Sequence, residues 1–206
     1  MKISKLQYIS QGLTAKEQKR NIRTALDQGI DWVQLRWKNA MDKEITNLAE
    51  TIKIHCENYQ ASLIINDFVS VAKAVDACGI HLGLNDEKIT TARAILGKNK
   101  IIGGTANTLE DVIQRINEGC DYIGLGPYRF TTTKEKLSPI LDLEGYKNIF
   151  TQLKEQQIEI PKIIAIGGIE FNDLQAIKET EIYGVALSGL ITKQPELVQT
   201  IKNILQ

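Results

Sequence analysis

Two kinds of segment alternate along this chain from end to end. Short runs rich in Ile, Val, Leu and Tyr fall at 5–10, 32–38, 62–67, 79–83, 100–105, 122–127, 162–168 and 183–189. Such runs read as strands. Longer charged segments lie between them, with apolar residues at helical spacing. In EITNLAETIKIHCENY, Ile45, Leu48, Ile52 and Cys56 share one stripe, and in PELVQTIKNILQ so do Leu197, Ile201 and Ile204, with Pro195 suited to a first helical turn. Strict β/α alternation implies parallel strands, and eight repeats is the number that closes a barrel. The expectation is a single (β/α)8 TIM-barrel domain over 1–206, with α/β composition and parallel strands. A doubly wound open sheet is the alternative, but the first strand is followed by no G-x-G-x-x-G fingerprint.

Composition excludes several classes of function. Lys plus Arg number 25, as do Asp plus Glu, so the balanced charge gives nucleic acid and anionic membranes no electrostatic attraction. The first residues, MKISKLQYISQGL, lack the apolar core of a signal peptide, and no apolar run approaches the ~20 residues of a membrane helix. Cys56, Cys78 and Cys120 are few, odd in number and widely spaced. That pattern fits buried packing in a reducing cytoplasm better than disulfides or a zinc site.

Barrels of this type carry their active sites at the C-terminal strand ends, and polar residues gather there. Gln34, Arg36 and Lys38 alternate on one face of the second strand, with Val33, Leu35 and Trp37 on the other. In a strand covered by helices the polar face is the interior, so these side chains line a ligand site or form an internal hydrogen-bonded plug. Asn66 and Asp67 end the third strand, and Asn85 and Asp86 follow the fourth. Two convergent carboxylates beside an anionic substrate suit Mg²⁺; as helices start right after each, N-capping is the competing reading. After the sixth strand about fifteen residues, PYRFTTTKEKLSPILD, show no periodicity, the mark of a lid or binding loop. Within it Thr131, Thr132, Thr133 and Lys134 make either an anion clamp or a solvated turn. Gly167-Gly168 and Ser188-Gly189 follow the last two strands, where barrels often bind phosphate through backbone N–H groups. His81, in a strand, and His55, in a helix stripe, read as packing or surface residues.

Taken in order, VQLRWK, LIINDFV, GIHLG, IIGGTANT, DYIGLGP, TTTK, IIAIGGI and GVAL resemble the thiamine phosphate synthase family over about residues 30 to 191. The resemblance implies a transferase that joins hydroxymethylpyrimidine diphosphate to thiazole phosphate with Mg²⁺, releasing pyrophosphate through a dissociative displacement. It places Gln34, Arg36, Lys38, Asn66 and Lys134 on the diphosphate, with Asp67 and Asp86 on the metal. Thr131 and Thr133, with Gly168, Ser188 and Gly189, match the thiazole-phosphate side, and Thr105 stands where the family usually has Ser. Lys134 and Arg36 are the candidate catalytic residues, because they would neutralise the leaving group; no protein nucleophile is required. Leu84, Asn85, Asn107 and Phe130 depart from the family pattern. Small phosphorylated molecules are the expected partners, with a homodimer compatible. A thiazole tautomerase, a non-catalytic thiazole-phosphate-binding paralogue and a phosphosugar isomerase are the competing functions. A tautomerase would not need the diphosphate clamp.

Overall fold

The computed structural model describes residues 3–38, 40–130 and 139–206. Its strands are β1 (Leu6–Ile9), β2 (Trp32–Leu35), β3 (Ser62–Asn66), β4 (Gly79–Leu82), β5 (Ile101–Ala106), β6 (Tyr122–Leu125), β7 (Lys162–Ile166) and β8 (Gly184–Leu187). Each pairs in parallel with the next, and β8 closes on β1 through Leu6 opposite Val185. The expected (β/α)8 barrel is therefore what the chain forms. Helices α1 (Ala15–Asp27), α2 (Asp42–Asn58), α3 (Val69–Ala74), α4 (Ile89–Leu96), α5 (Leu109–Asn117), α6 (Asp142–Glu155) and α7 (Leu174–Lys178) fill the crossovers. A short α8 (Gly189–Lys193) and α9 (Val198–Leu205) follow β8.

Alternation along the strands sorts side chains into two cores. Trp32, Ile64, Ile101, Tyr122 and Ile164 pack together inside the barrel, while neighbours such as Val33, Leu35, Leu63, Ile65 and Ile163 join the mantle between strands and helices. The stripe expected on α2 is the one buried: Ile45, Leu48, Ile52 and Cys56. On α9 the stripe is rotated, with Val198, Ile201 and Leu205 buried and Leu197 and Ile204 only packed against the edge.

Two boundaries differ from the sequence expectation. The second strand stops at Leu35 instead of Lys38, because the Arg36 N–H leaves the ladder and donates to Ser10 Oγ at 2.9 Å. The closing helical segment is split from β8 by α8. Pro195 has no N–H and disfavours helical backbone at the residue before it; Gln194 accordingly sits at φ −136°, ψ 63°.

Candidate active site at the C-terminal mouth of the barrel

Asn66 is buried at the end of β3, and the chain then turns through Asp67 at φ 64°. Asp is among the few side chains that tolerate this left-handed conformation, and such positions cluster at functional sites. The turn sets the Asp67 carboxyl against Asp86, within electrostatic reach of the Arg36 guanidinium and with the Asn66 amide donating to it. Burial first, then the facing Asp86 carboxyl, push Asp67 well above the usual carboxylate range, while Arg36 pulls it down. Asp86 is held by its own loop, accepting from the Gly83 N–H at 2.6 Å. Neither carboxylate caps a helix. The N-cap positions of α3 and α4 are Phe68 and Lys88, and neither makes a side-chain capping bond. Two carboxylates forced together beside one guanidinium form an acidic pair whose repulsion a divalent cation would relieve, and Mg²⁺ needs no more protein ligands than these. Among the described residues no group of three or more His, Cys, Asp or Glu side chains is arranged as a metal cage.

Other candidates divide among three surroundings. Gln34 is buried in the barrel, where its Nε2–H donates to Gln7 Oε1 at 3.1 Å, so the internal plug exists and Gln34 belongs to it. Arg36 lies beyond the strand end at the mouth, and Lys38 is exposed. Thr105, at the C-terminal end of β5, is nearly buried and bonded to His81. Thr131, Thr133 and Lys134 lie outside the described residues.

Across the mouth, Gly168 has φ +70°, and a Cβ there would sit 3.0 Å from the Arg129 carbonyl oxygen. Only glycine fits without strain. Ser188 spends its hydroxyl proton on the Ile9 carbonyl at 2.8 Å. Any phosphate there would meet backbone N–H groups at the start of α8 in preference to that hydroxyl. Of the departures, Leu84, Asn85 and Phe130 are exposed. Asn107 is buried, its amide donating to the carbonyls of Ala106 and Gly126 at the ends of β5 and β6.

Two arginines that frame the site were missed in the sequence. Arg129 clamps Asp173 through two bonds of 2.8 and 2.9 Å and donates to the Gly168 carbonyl at 2.7 Å, so it braces the glycine loop. Arg115, on α5, is buried and donates to the Thr105 carbonyl at 3.0 Å, to the Gly83 carbonyl at 2.9 Å and to Glu118 at 2.6 Å. A helical Arg among polar neighbours reads as solvated. Its place on the stripe with Val112, three residues before it, is the signal that was available.

A family model described as thiamine monophosphate synthase matches residues 7–191. The chain belongs to the thiamine monophosphate synthase family. Among its members, the thiamine-phosphate synthase of Flavobacterium johnsoniae is 56% identical over 94% of this chain and 91% of its own length. That of Bacteroides thetaiotaomicron is 48% identical over 88% of this chain and 86% of its own length. A solved structure, thiamine phosphate pyrophosphorylase from Pyrococcus furiosus, superposes with a TM-score of 0.83 at 30% identity, covering 98% of this chain and 97% of that one. A cavity of about 230 Å³ lined by Lys53, Cys56, Asp76, Cys78 and Lys100 lies at the opposite end of the barrel and holds none of the candidate residues.

Proposed function

We propose that this chain is a thiamine-phosphate synthase, a transferase that joins hydroxymethylpyrimidine diphosphate to thiazole phosphate and releases pyrophosphate. The observation that carries the reading is the Arg36–Asp67–Asp86 cluster at the mouth, in a chain 56% identical to a thiamine-phosphate synthase. A thiazole tautomerase has no use for such a cluster.

In the reaction the bond from the pyrimidine methylene carbon to the diphosphate oxygen breaks, and a bond from that carbon to the thiazole forms. The barrier lies in the charge that gathers on the departing diphosphate. Arg36 and Lys38 face that group with fixed positive charge, Asn66 orients Asp67, and Lys134, by the resemblance, adds a second ammonium. Asp67 and Asp86 would hold Mg²⁺, which supplies further neutralisation of the leaving group when bound. Gln34, which the resemblance assigns to the same side, supports it from within the buried hydrogen-bonded chain, and Thr105 completes it. Thr131 and Thr133, by the resemblance, with the backbone of Gly168, Ser188 and Gly189, hold the thiazole phosphate through hydroxyls and N–H groups. No side chain is asked to form a covalent intermediate.

The enzyme acts on small phosphorylated molecules in the cytoplasm, and a homodimer is compatible with the fold. No helix among the described residues is long and apolar enough to cross a membrane. Phosphorus NMR of the chain mixed with both substrates tests the reading. Pyrophosphate should appear only when both substrates and a divalent metal are present. Full turnover in excess chelator would remove the metal from the proposal, and thiazole isomerisation without pyrophosphate would make the chain a tautomerase.

A further inference from the structure

A continuous chain of polar side chains runs through the middle of the barrel. Gln34 Nε2 donates to Gln7 Oε1 at 3.1 Å, and Gln7 Nε2 donates to Tyr122 Oη at 3.4 Å. Tyr122 Oη lies 3.0 Å from His81 Nδ1, and His81 Nε2 lies 3.0 Å from Thr105 Oγ1. Every member is nearly or fully buried. Room for it is built into the strands: a Cβ on Gly103 would sit 2.1 Å from Tyr122 Cζ, and one on Gly124 would sit 3.1 Å from His81 Cε1. The two rings therefore occupy space that neighbouring strands leave open, and Trp32 packs edge-on against Tyr122 at 4.9 Å.

Such a chain can point its protons either way, and the direction decides what Thr105 offers at the mouth. A phenol has one proton and two lone pairs. The amide of Gln7 takes one lone pair of Tyr122 Oη, and Gln34 lies within hydrogen-bonding reach of the same oxygen. Burial raises the pKa of this phenol, so the proton stays on it and is left to donate to His81 Nδ1. An imidazole that accepts at Nδ1 carries its own proton on Nε2 and donates to Thr105 Oγ1. Thr105 then has its hydroxyl proton for a ligand.

We propose that Gln7, Tyr122 and His81 are positioning residues that hold the Thr105 hydroxyl as a hydrogen-bond donor toward an acceptor on the pyrimidine diphosphate. The acceptor is either a ring nitrogen or a diphosphate oxygen. In the opposite polarity Thr105 would present a lone pair and favour a donor on the ligand. The ligand rests on the function proposed above; the direction of the chain does not.

The chain has two histidines, His55 and His81, so ¹⁵N NMR of the ligand-free protein resolves the ring nitrogens of each. The expected result is His81 protonated at Nε2 and bare at Nδ1. A proton on Nδ1 of neutral His81 overturns the proposal whether or not the chain makes thiamine phosphate. Steady-state kinetics with variants test the consequence. His81→Gln keeps an N–H near the Nε2 position and should retain most activity. His81→Asn and Tyr122→Phe should each raise KM for the pyrimidine diphosphate about 5- to 20-fold, the worth of one buried hydrogen bond. KM for thiazole phosphate should hold. Circular dichroism confirms that each variant folds; if Tyr122→Phe does not, His81→Asn beside His81→Gln carries the comparison. Equal losses toward both substrates, or no rescue by Gln, would reduce the network to a packing device. Binding of Thr105→Val to inorganic pyrophosphate and to the pyrimidine alcohol separates the acceptors: the weaker of the two names the group that receives the proton, and wild-type binding of both sinks the idea.

Discussion

At the level of single residues, the two ends of the reaction are served by different physics. Lys134 follows β6 in sequence, outside the described residues, and its role follows from the resemblance. An ammonium meeting the diphosphate as the C–O bond breaks stabilises a charge that grows along the reaction. Lys134→Ala should lower the single-turnover rate about 10²- to 10³-fold with a much smaller change in diphosphate affinity. An affinity loss as large as the rate loss would make it a binding clamp. Gly168 acts through its backbone. At φ +70°, and with any Cβ only 3.0 Å from Arg129, it cannot take a side chain without moving the loop. Gly168→Val should therefore weaken thiazole-phosphate binding well beyond any change for the diphosphate, measured by calorimetry with each ligand alone. Equal losses would mean that the two sites are assigned to the wrong loops. Asp67 was legible as one of a pair of carboxylates. Its left-handed backbone, which turns the carboxyl toward Asp86, was not, because Asp is accepted in many backbone conformations.

Whole elements explain what the pattern of residues could and could not reveal. Alternation of apolar runs located all eight strands, because period-two burial inside and outside a closed sheet leaves a direct trace in sequence. Strand ends were less legible. Arg36 and Lys38 continue the alternation of β2, yet the strand ends at Leu35 once Ser10 takes over the next N–H. That choice belongs to a residue just past the end of β1. Arg115 shows the same limit more sharply. It is 3% exposed, and its bonds run to the carbonyls of Thr105 and Gly83, at the ends of β5 and β4. Those partners are 10 and 32 positions away in sequence. Replacing it leaves two strand-end carbonyls without this donor and Glu118 without its counter-charge. Arg115→Met, close in length and unable to donate, should cost about 3–5 kcal/mol in urea denaturation, as breaking a buried ion pair does. Activity should fall with it, because Thr105 and the Gly83–Asp86 turn lose a shared anchor. A loss under about 1 kcal/mol would show that water replaces the guanidinium without penalty.

Closure is the property of the molecule as a whole that these local features serve. Every strand has two neighbours, so no edge is available to fray, and helices lie against the outside of the same sheet. Opening the mantle should then require loss of the barrel itself, and the cysteines can report it. Cys56 is buried on the inner stripe of α2, and burial pushes its thiol up to about 12; Cys120, just before β6, is likewise pushed up to about 12 by burial. At pH 8 a thiol of that kind is thiolate about once in 10⁴ molecules, against roughly one in four for an unperturbed cysteine. Because the folded value is raised, alkylation of the folded protein stays suppressed until the pH nears 12 or the chain opens. Cys78 is partly exposed, as Cys120 is, and serves as the reference thiol for iodoacetamide labelling. The other two are the informative ones. If the barrel opens as one unit, Cys56 and Cys120 will label at the same rate, and both rates will rise with urea along the slope of global unfolding. Mass spectrometry of the labelled peptides measures each rate separately. A Cys56 rate that is faster and nearly independent of urea would mean that α2 leaves the sheet while the strands stay paired. That outcome would break the link between closure and cooperativity, since the mantle would then open around an intact barrel.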